Sequence, residues 1–208
     1  MKLKKRAKKI LIILLLILLV VLVILAVKSF GTKEVKETKV LSEIKGYGYK
    51  LKDNKTAKYK KMFEELKEIL EADEVDEEAY AKKISEMFIY DFYSLKDKVS
   101  KTDIGGVDFV YGGILENFLQ NAQATYYKYV ENNIYGNRKQ ALPVVSEITI
   151  DKVEQDSFEY EKGDKTDDKA YVVNVSWSYT DSKFSDYQKE AKLVFIHDGK
   201  KLCLVELQ

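Results

Sequence analysis

Hydrophobic positions along this chain follow three different patterns. The first is an unbroken run, Ile10–Val27, eighteen residues of Ile, Leu, Val and one Ala. As a helix at ~1.5 Å per residue it covers about 27 Å, close to the ~30 Å hydrocarbon core of a bilayer. Lys9 and Lys28 flank the run, where their side chains can snorkel to the headgroups. The second pattern has a helical period. Tyr59, Met62, Phe63, Leu66, Ile69 and Leu70 share one face of a helix expected over about 54–71. Asp76, followed by Glu77 and Glu78, is an N-terminal signal for a second helix running to about Leu95. Its stretch Met87–Tyr93 is apolar nearly all round and predicts a central helix covered on more than one side. A third helix is expected over 114–132, with Leu115, Phe118, Leu119, Ala122, Tyr126, Tyr129 and Val130 on one face.

The third pattern has period two. A strand is expected over 144–153, extended through a bulge to Tyr160, followed by a charged turn over 161–169 containing Gly163. Tyr171, Val173, Val175, Trp177 and Tyr179 then alternate with polar residues. Residues 189–197 and 200–207 flank Asp198-Gly199, a hairpin signal that sets His197 opposite Lys200. Between helices two and three, Ile104-Gly-Gly-Val107 cannot hold a stable helix, and 107–111 is expected as a short strand or extended loop. Helices followed by strands define an α+β class: after an N-terminal transmembrane helix, three helices packed on a curved four-stranded antiparallel sheet. The organisation expected is a basic tip (1–9), an anchor (10–28), a polar tether or weak juxtamembrane helix (29–52) and one domain (53–208). The last is long enough to bury a core of its own.

Charge assigns a topology. Residues 1–28 carry seven of the thirty-five basic groups and no acid, which places the N-terminus in the cytoplasm and the domain outside, in a single-pass arrangement. A cleaved signal peptide competes, with Ser29-Phe30-Gly31 as its cleavage site. The run is longer than the usual ~7–15-residue apolar region, and no polar break precedes that site. The single cysteine, Cys203, excludes a lipoprotein anchor at the N-terminus and an intramolecular disulfide. The remainder holds 28 basic against 34 acidic groups, a net of −6, which argues against a nucleic-acid partner. Only Arg6 and Arg138 are arginines among those thirty-five basic residues, a bias of the kind AT-rich genomes impose.

Catalytic residue types are scarce. One histidine, His197, and one cysteine build no metal site, so neither a metal nor a cofactor is expected. His197 reads as an exposed residue beside the turn, and Cys203 as a small apolar core residue. Asp164, Asp167 and Asp168 lack the spacing of a calcium loop and read as a solvated turn. There is no G-x-S-x-G, P-loop or dinucleotide fingerprint.

The order of anchor, helices and sheet is similar to the cone-shaped nuclear-transport-factor-2-like fold. It is also similar to the periplasmic domains of single-anchor scaffold proteins in type IV secretion and conjugation machines. Phe92–Leu95 with Asp103–Val110 resembles a group of anchored proteins of low-GC Gram-positive bacteria. The cone resemblance implies that the Gly105-Gly106 loop lies at the open end, with Tyr93, Asp108, Tyr111 and Trp177 as candidate ligand contacts. By the same analogy Asp91, Asp108 and Tyr93 are the acid–base candidates. The function expected is an extracytoplasmic interaction or scaffold domain without catalysis, meeting an envelope protein or a second copy of itself. A ligand-binding cone is the alternative, and an enzyme using an Asp/Tyr pair ranks third. The aromatic surplus of helix two reads either as core or as an interface. N-terminal sequencing of the membrane-extracted protein should return the intact basic tip; a mature chain starting near Thr32 would show that the apolar run is a signal peptide.

Overall fold

The computed structural model describes residues 14–22 and 38–208. Residues 14–22 form a helix, α1, whose Leu, Ile and Val side chains are all exposed. Among the described residues no helix is long and apolar enough to cross a membrane. The basic tip, both ends of the expected span and the first part of the expected tether lie outside the described residues.

A separate unit spans Thr38–Gln208. It opens with a hairpin, β1 (Val40–Ile44) and β2 (Tyr49–Lys52), where a tether was expected through residue 52. Gly46 and Gly48, at φ 84° and 72°, make the turn that a weak helix could not. Ile44, Tyr49 and Leu51 are buried, and the Tyr49 hydroxyl lies 2.6 Å from that of Tyr80. The domain therefore begins about fifteen residues before its expected boundary, because period-two burial of three apolar side chains ties this segment to the core.

Helix α2 (Ala57–Leu70) is capped by Thr56, whose hydroxyl accepts from the Tyr59 amide at 3.2 Å. It buries Tyr59, Met62, Phe63, Leu66 and Leu70, the predicted face. Helix α3 (Glu77–Tyr93) is capped by Asp76, with Glu77 and Glu78 at the positive end of its dipole. Every residue from Met87 to Tyr93 is buried, and α3 packs on α2 and on the sheet. Its aromatics are core rather than interface.

Helix α4 (Leu115–Ala124) stops eight residues short of the expected end. The Thr125 hydroxyl bonds back to the Asn121 carbonyl at 2.6 Å, and Thr125 leaves helical geometry at φ −117°, ψ −94°. The unwinding rotates the following residues, so Tyr127 is fully buried while Tyr129, expected inside, is 76% exposed.

The sheet runs β3 (Val145–Tyr160), β4 (Lys165–Tyr179), β5 (Glu190–Asp198) and β6 (Lys201–Leu207) in that order, all antiparallel. Three register shifts between β3 and β4 mark bulges, which bend a strand and raise its twist. The expected turn over 161–169 is only 161–164, since β4 starts at Lys165. At the other hairpin Asp198 pairs with Lys201 and His197 with Leu202, two residues from the predicted register, because the turn is Gly199-Lys200 rather than Asp198-Gly199. Gly199, at φ 64°, is the first central residue of that turn, as a II′ hairpin requires. Tyr171, Val173, Val175 and Trp177 face the helices. By strand alternation Ala170, Val194, Ile196 and Cys203 form a second apolar cluster on the other face, with Phe158 and Tyr160 packed on it.

The 104–114 connection is not a strand. Two single 3-10 turns, Val107–Phe109 and Gly112–Ile114, flank Val110 and Tyr111, and the Tyr111 amide bonds the Leu204 carbonyl of β6 at 2.8 Å. Gly105 passes so close to α3 that a Cβ would sit 2.0 Å from the Asp91 carbonyl oxygen. Gly105→Ala should therefore destabilise the domain by far more than the ~1 kcal/mol typical of point substitutions. Gly112→Ala, with nothing within 4 Å of its Cβ position, should cost little; thermal unfolding of the two variants checks the contrast.

Candidate functional site

Among the acid–base candidates, Asp91 makes the most side-chain bonds. It lies in the apolar half of α3, 5% exposed, where an unpaired carboxylate would be costly. Two lysines neutralise it: Lys98 Nζ at 2.7 Å from Oδ1 and Lys55 Nζ at 2.6 Å from Oδ2. The Gly106 amide donates to Oδ2 at 2.8 Å. Burial raises the carboxyl pKa, but the charges and hydrogen bonds of Lys98 and Lys55 outweigh it and hold it down at about 2. Lys98 is itself buried; burial disfavours its charge, yet Asp91, with Asp97, leaves its pKa raised. A carboxylate held this way stays ionised and fully bonded, so it is a structural tie rather than a proton-transfer group. Next to it the Tyr127 hydroxyl donates to the Phe92 carbonyl at 2.6 Å and accepts from the Gly105 amide at 3.0 Å.

The four expected ligand contacts do not converge. Tyr93 and Trp177 do meet, with ring centroids 4.4 Å apart, both buried. The Trp177 Nε1 is buried without a hydrogen-bond partner among the described residues. Asp108 is exposed on the first 3-10 turn, and its carbonyl accepts from Lys201 Nζ at 2.8 Å. Tyr111 reaches the tip of the β3–β4 hairpin, where its hydroxyl bonds Glu161 and lies 3.3 Å from Lys165 Nζ. The loop carrying Asp108 and Tyr111 is held to β6 at Leu204, so neither side chain enters the Tyr93–Trp177 stack.

A cavity of about 340 Å³ opens beside α4 instead. Four aromatic rings, Phe92, Tyr93, Phe118 and Tyr126, line it together with Leu207 of β6. Asn117 and Asn121, one turn apart on α4, and Gln188 from the β4–β5 connection line its rim. Among the described residues no acidic or basic side chain lines it. The cavity exists because α4 covers its neighbours incompletely: only Ala122 of this helix is buried, while Leu115, Phe118 and Leu119 are half-buried.

His197 is half-buried rather than exposed. Its Nδ1 lies 2.8 Å from Asp167 Oδ2, its amide donates to the same oxygen at 2.7 Å, and its Nε2 is 3.5 Å from Glu77. Asp167, expected in a solvated turn, thus ties β4 to β5. Burial pushes the Cys203 thiol up to about 11, so it has no thiolate character.

A surface feature emerges around Arg138. Its Nη1 donates to the carbonyls of Lys98 and Glu131, both at 2.9 Å, and its Nη2 to Lys96 at 2.8 Å and Leu95 at 3.5 Å. The Asn133 amide bonds the Val99 carbonyl at 2.7 Å. Two loops, 95–103 and 129–140, are stitched together this way, and they carry exposed Val99, Tyr129, Ile134 and Tyr135. The sequence assigns no role to Lys55 or Lys98 and marks Arg138 only as one of two arginines. The usable signal was Asp91 itself, an acid in an all-round apolar helix, which demands a buried cation.

No protein-family model, no curated protein and no solved structure matches this chain.

Removing Asp91 strands Lys98 in the core, so Asp91→Ala should cost about 3–5 kcal/mol. Lys98→Met leaves Asp91 paired with Lys55 and should cost clearly less, as urea unfolding would measure. Because the folded pKa of Asp91 is depressed, its contribution of roughly 2 kcal/mol is present above pH ~4 and is lost as pH falls towards 2. Over that window the stability of Asp91→Ala should fall less steeply than that of the unmodified protein.

Proposed function

We propose that this chain is a single-pass membrane protein, anchored by Ile10–Val27 with its N-terminus in the cytoplasm. Its folded unit acts outside as a non-catalytic interaction domain. The observation that carries the reading is the pair of loops held by Arg138. Val99, Tyr129, Ile134 and Tyr135 are 42%, 76%, 48% and 68% exposed, on backbone that is hydrogen-bonded and pre-organised rather than free. Tyrosine gives large contact area at low entropic cost, which suits a contact surface. Exposed Lys96, Lys101 and Lys139 on the same loops outnumber exposed Asp97 and Glu131. The partner that fits is a protein with an apolar centre and an acidic rim.

The absence of catalysis is supported by the state of the acid–base candidates: Asp91 is committed to two lysines, and Asp108 is exposed and apart from Tyr93. A role as scaffold in an envelope, secretion or conjugation assembly agrees with the single-anchor layout and the α+β fold, and rests on that likeness alone.

The test is photo-crosslinking in cells, with the reactive residue placed at Tyr135 of the full-length protein and, as control, at exposed Glu64 of α2. Discrete adducts should form from position 135 and fall at least several-fold when Tyr129 and Ile134 are both changed to Ser. Adducts no stronger than those from position 64 would remove the interaction reading.

A further inference from the structure

We propose that the cavity beside α4 is a binding site for a neutral, planar small molecule of about two rings that carries a hydrogen-bonding group. The site is separate from the Arg138 loops, and the proposal stands or falls independently of the interaction reading.

Size is the first constraint. At about 340 Å³ the cavity is roughly twice the ~150 Å³ apolar cavity that takes up benzene, which sets the scale of a two-ring molecule. It also lies within the ~300–1,000 Å³ range of small-molecule sites.

Wall chemistry is the second constraint. Phe92 is the hub of the aromatic wall, with ring centroids 4.9 Å from Tyr93, 5.3 Å from Phe118 and 5.9 Å from Tyr126. Such a wall offers stacked and edge-on contacts to a flat ring system and few hydrogen bonds to water. A water cluster there would be poorly bonded, so displacing it favours an apolar guest.

The rim is the third. The side chains of Asn117 and Asn121 make no hydrogen bond within the chain among the described residues, and neither does the Tyr93 hydroxyl, whereas the Tyr126 hydroxyl is paired with that of Tyr179 at 3.1 Å. Two open amides and one open hydroxyl around an otherwise apolar space are the arrangement that orients a ligand rather than merely accepting it. With no ionic side chain in the lining, a charged ligand would lose its hydration without gaining a counter-charge.

The experiment is calorimetric titration of the full-length protein in lipid nanodiscs, with empty nanodiscs as blank. Three probes are compared: 2-naphthol, naphthalene and trimethylphenylammonium. Saturable one-to-one binding of 2-naphthol is expected, weaker by about tenfold for naphthalene, the worth of one good hydrogen bond. Asn121→Phe, which fills the space from an exposed rim position, should abolish binding with an unchanged unfolding midpoint. Asn117→Leu, which removes an amide without filling the space, should weaken 2-naphthol but not naphthalene. The proposal is overturned by absence of saturable binding above the blank, or by binding that survives Asn121→Phe. Equal affinity for naphthalene and 2-naphthol, or tighter binding of the cationic probe, would overturn the ligand class.

Discussion

The organisation of this domain depends on how one carboxylate in an apolar helix is neutralised. Asp91 could not be buried alone, and each group that satisfies it comes from a different part of the chain: Lys55 just before α2, Lys98 from the loop after α3, and the Gly106 amide from the loop before α4. Hydrophobic burial is non-directional and would let those segments settle in several arrangements. Two ion pairs and a hydrogen bond from a backbone amide, all on one carboxylate, fix their order. A buried polar network gains little net stability over an apolar one, and its value lies in selecting a single packing.

The same residue carries that order outward. Lys98 gives its ammonium to Asp91 and its carbonyl to Arg138, so the interior tie and the exposed loops share one residue of backbone. The proposed contact surface is thereby positioned from the core. The α4 region is built differently. Among the described residues no ion pair forms on that helix, its apolar face is half covered, and its C-terminal end unwinds at Thr125. The domain thus combines a rigidly positioned surface with a loosely covered cavity, and these are the properties that contact with a macromolecule and uptake of a small guest respectively require.

Much of the fold was legible in the sequence. The face of α2, the all-round burial of α3 and the four-strand meander follow from period and capping residues, because burial and amphipathicity agree there. The misreadings share a cause. In β1 and β2, Val40, Leu41 and Ile44 also fit a helical stripe, and the deciding facts are the turn at Gly46–Gly48 and distant partners such as Tyr80. The end of α4 was misplaced because a side-chain bond from Thr125 competes with the backbone ladder, and one residue of unwinding exchanged Tyr127 for Tyr129. For the site, Asp91 could be named but its partners could not, since nothing local distinguishes Lys55 or Lys98 from the other lysines. Tyr93 and Trp177 come together because they face the same layer from α3 and β4. Asp108 and Tyr111 sit elsewhere because their loop is fastened to the edge of β6.

Arg138 has a consequence beyond holding two loops. The chain's cations are nearly all lysine, a bias of the kind AT-rich genomes impose, and a lysine suffices wherever only a lone positive charge is needed. At this position the charge is incidental. A planar fork lets Nη1 bridge carbonyls of both loops while Nη2 meets two more on the 95–103 loop, four acceptors where an ammonium has only three donors at one point. A bias toward lysine therefore meets a geometric limit at Arg138, where the backbone needs a clamp rather than a charge.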